Sequence, residues 1–194
     1  MKYIKLFESE YWDKIIRLRD LGLAGEFANT LFNWIERKRK DPKDQHDSLD
    51  LTDANLKELP PEISKINSFI ILKRTAIERL PAKMELGGSL WIQDCPELSE
   101  LPEELIVGQD LVISRCPKLT KLPKRLSVGQ DFTVMDVPIV TLPEEASLAG
   151  KFSLIDTYVD SDRFEEWVHA NHVLGHAFHM GENGPVEGPR SVEK

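Results

Sequence analysis

The sequence is short of several things, and each shortage closes off a class of protein. It carries two cysteines in 194 residues, too few for a scaffold held by disulfides. No apolar run approaches the ~18–20 residues that a membrane helix requires. The opening MKYIKLFESEYW has no apolar stretch of leader length and turns acidic at once, so no signal peptide is expected. Basic residues are in deficit: 25 Lys and Arg stand against 33 Asp and Glu, for a formal charge of -8. That balance disfavours nucleic-acid phosphate and anionic membrane surfaces, and favours cationic partners. No glycine-rich phosphate loop and no nucleophile–base constellation is evident, so the sequence points to no catalytic residue, no enzyme activity and no cofactor.

What the chain has in quantity is periodicity. Leu-Pro recurs at Leu59, Leu80, Leu101, Leu122 and Leu142, with spacings of 21, 21, 21 and 20. Glycine falls at Gly87, Gly108, Gly129 and Gly150, each 21 apart, and VGQD occurs at Val107–Asp110 and Val128–Asp131. Three markers sharing one period signal a solenoid of stacked repeats.

Before each Leu-Pro lies a short alternating segment. Its inward pairs read Leu49/Leu51, Ile70/Leu72, Leu90/Ile92, Leu111/Ile113 and Phe132/Val134, and a sixth pair, Phe152/Leu154, follows the last Leu-Pro. Alternation of period two marks a strand with one buried face, and one such strand per repeat stacks into a parallel sheet. Leu56, Ile77, Leu98, Leu119 and Ile139 then turn inward. Proline suits an extended return, which needs no ladder donor there. Glycine suits a tight turn, where positive φ costs it little.

These repeats resemble leucine-rich repeats, in particular the short bacterial Leu-Pro type of IpaH-like and YopM-like effectors, over about residues 49–159. The resemblance implies an α/β repeat fold: a right-handed solenoid with a parallel sheet on its concave face. It also implies non-enzymatic protein binding, in the cytoplasm or in the cytoplasm of a host cell that receives the protein. The catalytic domain of the IpaH type is not matched. Many such repeats place asparagine after the strand, whereas this chain has Ala54, Thr75, Cys95, Cys116 and Val137 there. Packing is therefore expected to replace an asparagine ladder, with Cys95 and Cys116 buried and reduced.

A solenoid exposes its core at both ends and needs caps. Residues 1–48 read as a helical hairpin and linker. The first helix opens near Ser9, and the second runs from about Gly25 to Lys40 with Phe27, Leu31, Trp34 and Ile35 on one side. Arg37–Lys40 completes the carbonyl end of that helix. Residues 49–160 form the repeats. Residues 161–180 read as a capping helix, opened by Asp162 and Glu165, with Phe164, Trp167, Val168, Leu174 and Phe178 on its apolar side. Residues 181–194, rich in Gly, Pro, Glu and Ser, read as a flexible tail.

Three features are candidates for function. Outward strand positions read Asp50, Ile71, Trp91, Val112, Thr133 and Ser153, and Phe69 stands beside Ile71. Phe69, Ile71, Trp91 and Val112 then form an exposed apolar patch, the expected site for a protein partner. Just past the strands, Asp53, Arg74, Asp94, Arg115, Asp136 and Asp156 form a column whose sign alternates over five rungs. It reads as a charge ladder, or as a rim in which Arg74, Asp94 and Arg115 set partner register. His169, His172, His176 and His179 share one face of the expected capping helix, and His172 and His176 have the i, i+4 spacing that chelates zinc or nickel. A metal site there, or a structural role in a larger assembly, is the alternative to protein binding.

Overall fold

The computed structural model describes Leu31, Asn33, Trp34, Arg37, Lys40 and residues 48–171, together with the backbone of Ala177–Gly181 and Gly184–Glu187. In chain order the strands are β1 (Leu49–Asp50), β2 (Lys65–Ile66), β3 (Ile70–Lys73), β4 (Lys83–Leu86), β5 (Leu90–Gln93), β6 (Glu104–Val107) and β7 (Leu111–Ser114). There follow β8 (Arg125–Val128), β9 (Phe132–Met135), β10 (Glu145–Leu148), β11 (Phe152–Ile155), helix α1 (Ser161–Ala170), β12 (Ala177–Gly181) and β13 (Gly184–Glu187). The chain coils into a parallel β-solenoid of about five turns with a spacing near 21 residues.

The expected strands pair in parallel in the order β1-β3-β5-β7-β9-β11, and β12 and β13 extend the sheet to eight strands. Register follows the period: Ile71 lies beside Trp91, and Trp91 beside Val112. All twelve inward residues of the alternating segments are buried, and Leu56, Ile77, Leu98, Leu119 and Ile139 are inaccessible to solvent. One continuous apolar core thus runs along the stack, filled from the same slots in each rung.

A second parallel sheet, β2-β4-β6-β8-β10, lies where the sequence predicts only an extended return. Its signal is period-two alternation after each Leu-Pro. Met84/Leu86, Leu105/Val107 and Leu126/Val128 face inward while Lys83/Glu85, Glu104/Ile106 and Arg125/Ser127 face outward. Proline ends one segment without preventing the next from pairing.

The turn chemistry is also reversed from expectation. None of Gly87, Gly88, Gly108, Gly129 or Gly150 has a φ in the left-handed region between +20° and +160°. Positive φ, from 51° to 60°, belongs to Asp53, Arg74, Asp94, Arg115, Asp136 and Asp156, the whole charged column. Aspartate tolerates this left-handed region and arginine accepts it at some cost. Glycine is needed because rungs approach closely: a Cβ on Gly108 would lie 2.4 Å from the Gly87 carbonyl oxygen, and one on Gly129 2.2 Å from that of Gly108.

At the C-terminal end, the sequence predicts a helix over 161–180, but α1 stops at Ala170. Its cap is Asp160 rather than Asp162; the Asp160 carboxylate accepts from the backbone N–H of Asp162 and Arg163 at 3.1 and 3.2 Å. Phe164 and Val168 bury against the last rung. The Trp167 indole donates to the Pro143 carbonyl at 2.6 Å, and the Asn171 side chain accepts from the Ala146 N–H at 3.0 Å. α1 thereby satisfies part of the outer edge of β10, where the second sheet would otherwise present unpaired donors. Beyond it, β12 pairs in parallel with β11, and β13 pairs antiparallel with β12 where a flexible tail is expected from 181. Leu31 and Trp34 have helical backbone and are buried. The rest of the expected N-terminal hairpin and its linker, and residues 188–194, lie outside the described residues. Among the described residues no helix is long and apolar enough to cross a membrane.

Candidate functional site

The outward face of the eight-stranded sheet carries the apolar patch. Trp91 is 38% exposed, with Ile71 and Val112 half-buried beside it on β3 and β7. Phe69, just before β3, meets the Trp91 ring edge-on, with centroids 4.9 Å apart and planes at 79°. This contact fixes the indole at low entropic cost while leaving part of it to solvent. Strand alternation explains the placement, since Leu90 and Ile92 fill the core and force Trp91 outward. Further along the column, Thr133 is half-buried and Ser153 is buried. Met135 (37%) and Tyr158 (73%) add exposed apolar surface near the C-terminal rungs.

Beside the patch runs the charged column. The Arg74 guanidinium donates twice to the Asp53 carboxylate, at 2.6 and 2.6 Å, and Arg115 does the same to Asp94 at 2.5 and 2.9 Å. The ladder is therefore two closed pairs rather than a continuous chain. The hydrogen bonds from arginine hold Asp53 and Asp94 below the usual carboxylate range and raise Arg74 and Arg115. A lowered carboxylate pKa contributes stability that is present at neutral pH and is lost as pH falls through the lowered value. These groups are solvated, so the contribution is small and weakens with salt.

The same logic operates around the coil. All nine described ion pairs join residues 20 or 21 apart, so each ties one rung to the next. On the second sheet, Glu104 accepts from Lys83 at 2.9 Å and from Arg125 at 3.3 Å. Arg79 and Glu58 pair in a third column. The sequence shows the first of these columns; the others become visible only once the second sheet is known.

His169 and His179 do not share a helix face. His169 lies exposed in the last turn of α1, His179 falls in β12, and His172 and His176 lie outside the described residues. Among the described residues no group of three or more His, Cys, Asp or Glu is placed to hold a metal ion.

Cys95 and Cys116 are free thiols with no exposed surface. The single Cys95 S–H has the Leu72 and Gln93 carbonyls as alternative acceptors at 3.6 and 3.4 Å, and Sγ shares a 3.3 Å contact with the Thr75 hydroxyl. Cys116 Sγ donates to the Ser114 carbonyl at 3.4 Å. The thiols thus supply weak donors in the slot where asparagine stands in the resembling repeats. A hydrogen bond shared with Cys95, and then burial, push the Cys116 thiol well above the ordinary thiol range. Both cysteines are expected to stay silent toward an aromatic disulfide reagent at pH 8 in the native state and to react as two equivalents after unfolding. Rapid labelling of either one in the folded protein would contradict their burial.

An open depression of about 430 Å³ is lined by Asp94, Pro96, Arg115, Pro117 and Asp136, beside the charged column. A second, of about 420 Å³, lies on the second sheet around Ile66, Leu86, Gly87 and Ile106. Comparison with family models, with curated proteins and with solved structures found no match to this chain.

Proposed function

We propose that the chain is a non-enzymatic protein-binding module of the leucine-rich-repeat type, in which the eight-stranded sheet is the concave recognition face. The observation that carries the reading is Trp91, more than a third exposed at the centre of Ile71 and Val112 and held in place by Phe69. A solvated sheet position gains only modest stability from the cross-strand contacts of a tryptophan, whereas interfaces favour tryptophan as an anchor. β5, which carries Trp91, is paired on both sides by β3 and β7, an arrangement that limits the order lost on binding. The resemblance to Leu-Pro-type effectors supports the same use of this face.

Trp91→Ala separates binding from folding. The substitution spares the core but removes the edge-on contact with Phe69, so stability is expected to fall by about 1–2 kcal/mol. Partner affinity is expected to fall about thirtyfold or more, the result of losing an anchor worth ~2 kcal/mol. Urea denaturation and affinity capture with the wild-type and substituted chains give the two readings. If capture is unchanged while folding is intact, this face is not the binding site.

A further inference from the structure

The charged column breaks its own rule at the C-terminal end. Asp53 and Asp94 are each closed by an arginine from the next rung. Continued alternation would place a cation at 156 to close Asp136; the chain has Asp156 instead. Asp136 and Asp156 are both exposed on adjacent rungs, and neither has an ion-pair partner among the described residues. Arg115 senses Asp136 at longer range but is already committed to Asp94. The outward face of the sheet is therefore polarised along the stack. Its N-terminal half is apolar and flanked by neutralised pairs, and its C-terminal half carries two open carboxylates.

The column itself shows what would complete these carboxylates. Twice along it, with the same left-handed backbone, a carboxylate binds a guanidinium in a two-point contact. Asp136 and Asp156 offer that geometry without the guanidinium. Met135 and Tyr158, exposed beside them, give apolar surface for the methylene stem of a long cationic side chain.

We propose that the occupant of this face is an extended basic peptide segment that runs along the stack, across the strands. It places an apolar side chain on Phe69, Ile71, Trp91 and Val112, and an arginine or lysine on Asp136 and Asp156. The proposal rests on the binding role assigned to Trp91 and adds the chemistry and direction of the partner. Rungs lie about 4.8 Å apart and strand residues rise about 3.3 Å, so the two sites are roughly 14–17 Å apart. Allowing for the reach of an arginine, the basic residue follows or precedes the apolar anchor by about three to five positions. The net charge of -8 steers such a segment toward the protein.

The test is selection of random 12-residue peptides displayed on phage against the immobilised full chain at low salt. Selected peptides are then made synthetically with a fluorophore and titrated against wild type, Trp91→Ala and the double variant Asp136→Asn/Asp156→Asn. Asparagine keeps the left-handed preference of both positions, so the double variant is expected to retain the wild-type circular dichroism spectrum and urea midpoint. Selected peptides are expected to carry Arg or Lys three to five positions from an aromatic or aliphatic residue. Their affinity should fall tenfold or more in the double variant and be lost in Trp91→Ala. Peptides that lack the basic residue, or that bind the double variant as well as wild type while still requiring Trp91, overturn the basic-segment proposal and leave the binding face standing. Failure to select any peptide, or binding indifferent to Trp91→Ala, overturns both.

Discussion

Gly129→Ala and Gly108→Ala are each expected to destabilise the folded chain by about 3 kcal/mol, near the upper end of overpacking effects. A Cβ added to Gly129 would meet the carbonyl oxygen of Gly108 at 2.2 Å and its carbon at 2.9 Å. Both contacts are backbone, and the oxygen belongs to a rung that is itself pinned by the rungs on either side. Relief requires two turns of the coil to separate, which loosens the ladder hydrogen bonds that join them, among them Gly129 N–H to the Val107 carbonyl at 2.9 Å. Gly87→Ala is the internal control. Its Cβ would clash hardest, at 1.7 Å, but with the Asn67 side-chain oxygen, which can swing away; the nearest backbone atom, the Asn67 Cα, lies at 3.1 Å and need give by only a few tenths of an ångström. A loss of only about 1 kcal/mol is expected there. Urea denaturation followed by circular dichroism ranks the three variants. If Gly129→Ala matches wild type, the glycine column is not a close-approach device and the rungs are more loosely stacked than these distances imply.

The glycines illustrate how far the sequence could be read. Their spacing is plain in the letters, and it correctly sets the 21-residue coil. Their reason is not, because a tight turn and a close approach both call for glycine, and only the three-dimensional stack distinguishes them. The inward residues of β1, β3, β5, β7, β9 and β11 were legible because alternation and period agree at each rung. The same alternation in β4, β6 and β8 was present but masked by the proline before it, which suggests a return without ladder bonds. The fate of residues after Ala170 was not legible at all. Phe178 and His179 fit a helical pattern equally well, and pairing of β12 with β11 depends on a free sheet edge that no local pattern announces. Trp91 was readable as outward from its neighbours Leu90 and Ile92, whereas its support by Phe69 emerges only in the folded chain.

Phe152→Ala is expected to cost about 3–5 kcal/mol and to release α1 from the end of the coil. Phe152 is fully buried in β11 and sits among three aromatic rings. Its ring stacks on Phe132 at 4.9 Å with planes 8° apart, and meets Phe164 and Trp167 of α1 at 5.8 and 5.4 Å. Phe132 belongs to the preceding rung, so one side chain joins rung to rung and rung to helix. Truncation leaves a cavity with walls on two elements; β11 is laddered to a strand on each side, whereas α1 is tied to the coil by side chains, so α1 is the element expected to yield. A helix of ten residues has little stability of its own once it loses that contact. In a stack where each rung touches only its neighbours, the loss should begin at this end and leave the central rungs folded at low denaturant. Hydrogen exchange resolves the order: amides of α1 and β11 should lose protection before those of β5 and β7. Uniform loss across all rungs would show instead that the chain unfolds as one unit.

The alternating ion pairs carry a consequence for the length of the array. Asp53, Arg74, Asp94 and Arg115 alternate in one column, Glu58, Arg79, Glu100 and Lys121 in a second, and Lys83, Glu104, Arg125 and Glu145 in a third. Shape repeats after one turn, but over the rungs from Asp53 to Arg115 charge repeats after two. The true unit cell is a dyad of rungs, 41 residues from Asp53 to Asp94. Removing the single turn that holds Arg74, Arg79 and Glu85 would set Asp53 against Asp94 and Glu58 against Glu100, like charge facing like. Removing two turns restores opposition in the first two columns, where Asp53 then meets Arg115 and Glu58 meets Lys121. Over the rungs from Asp53 to Arg115 the side chains thus favour changes of length by an even number of turns, a modest bias laid over a backbone that permits any whole number.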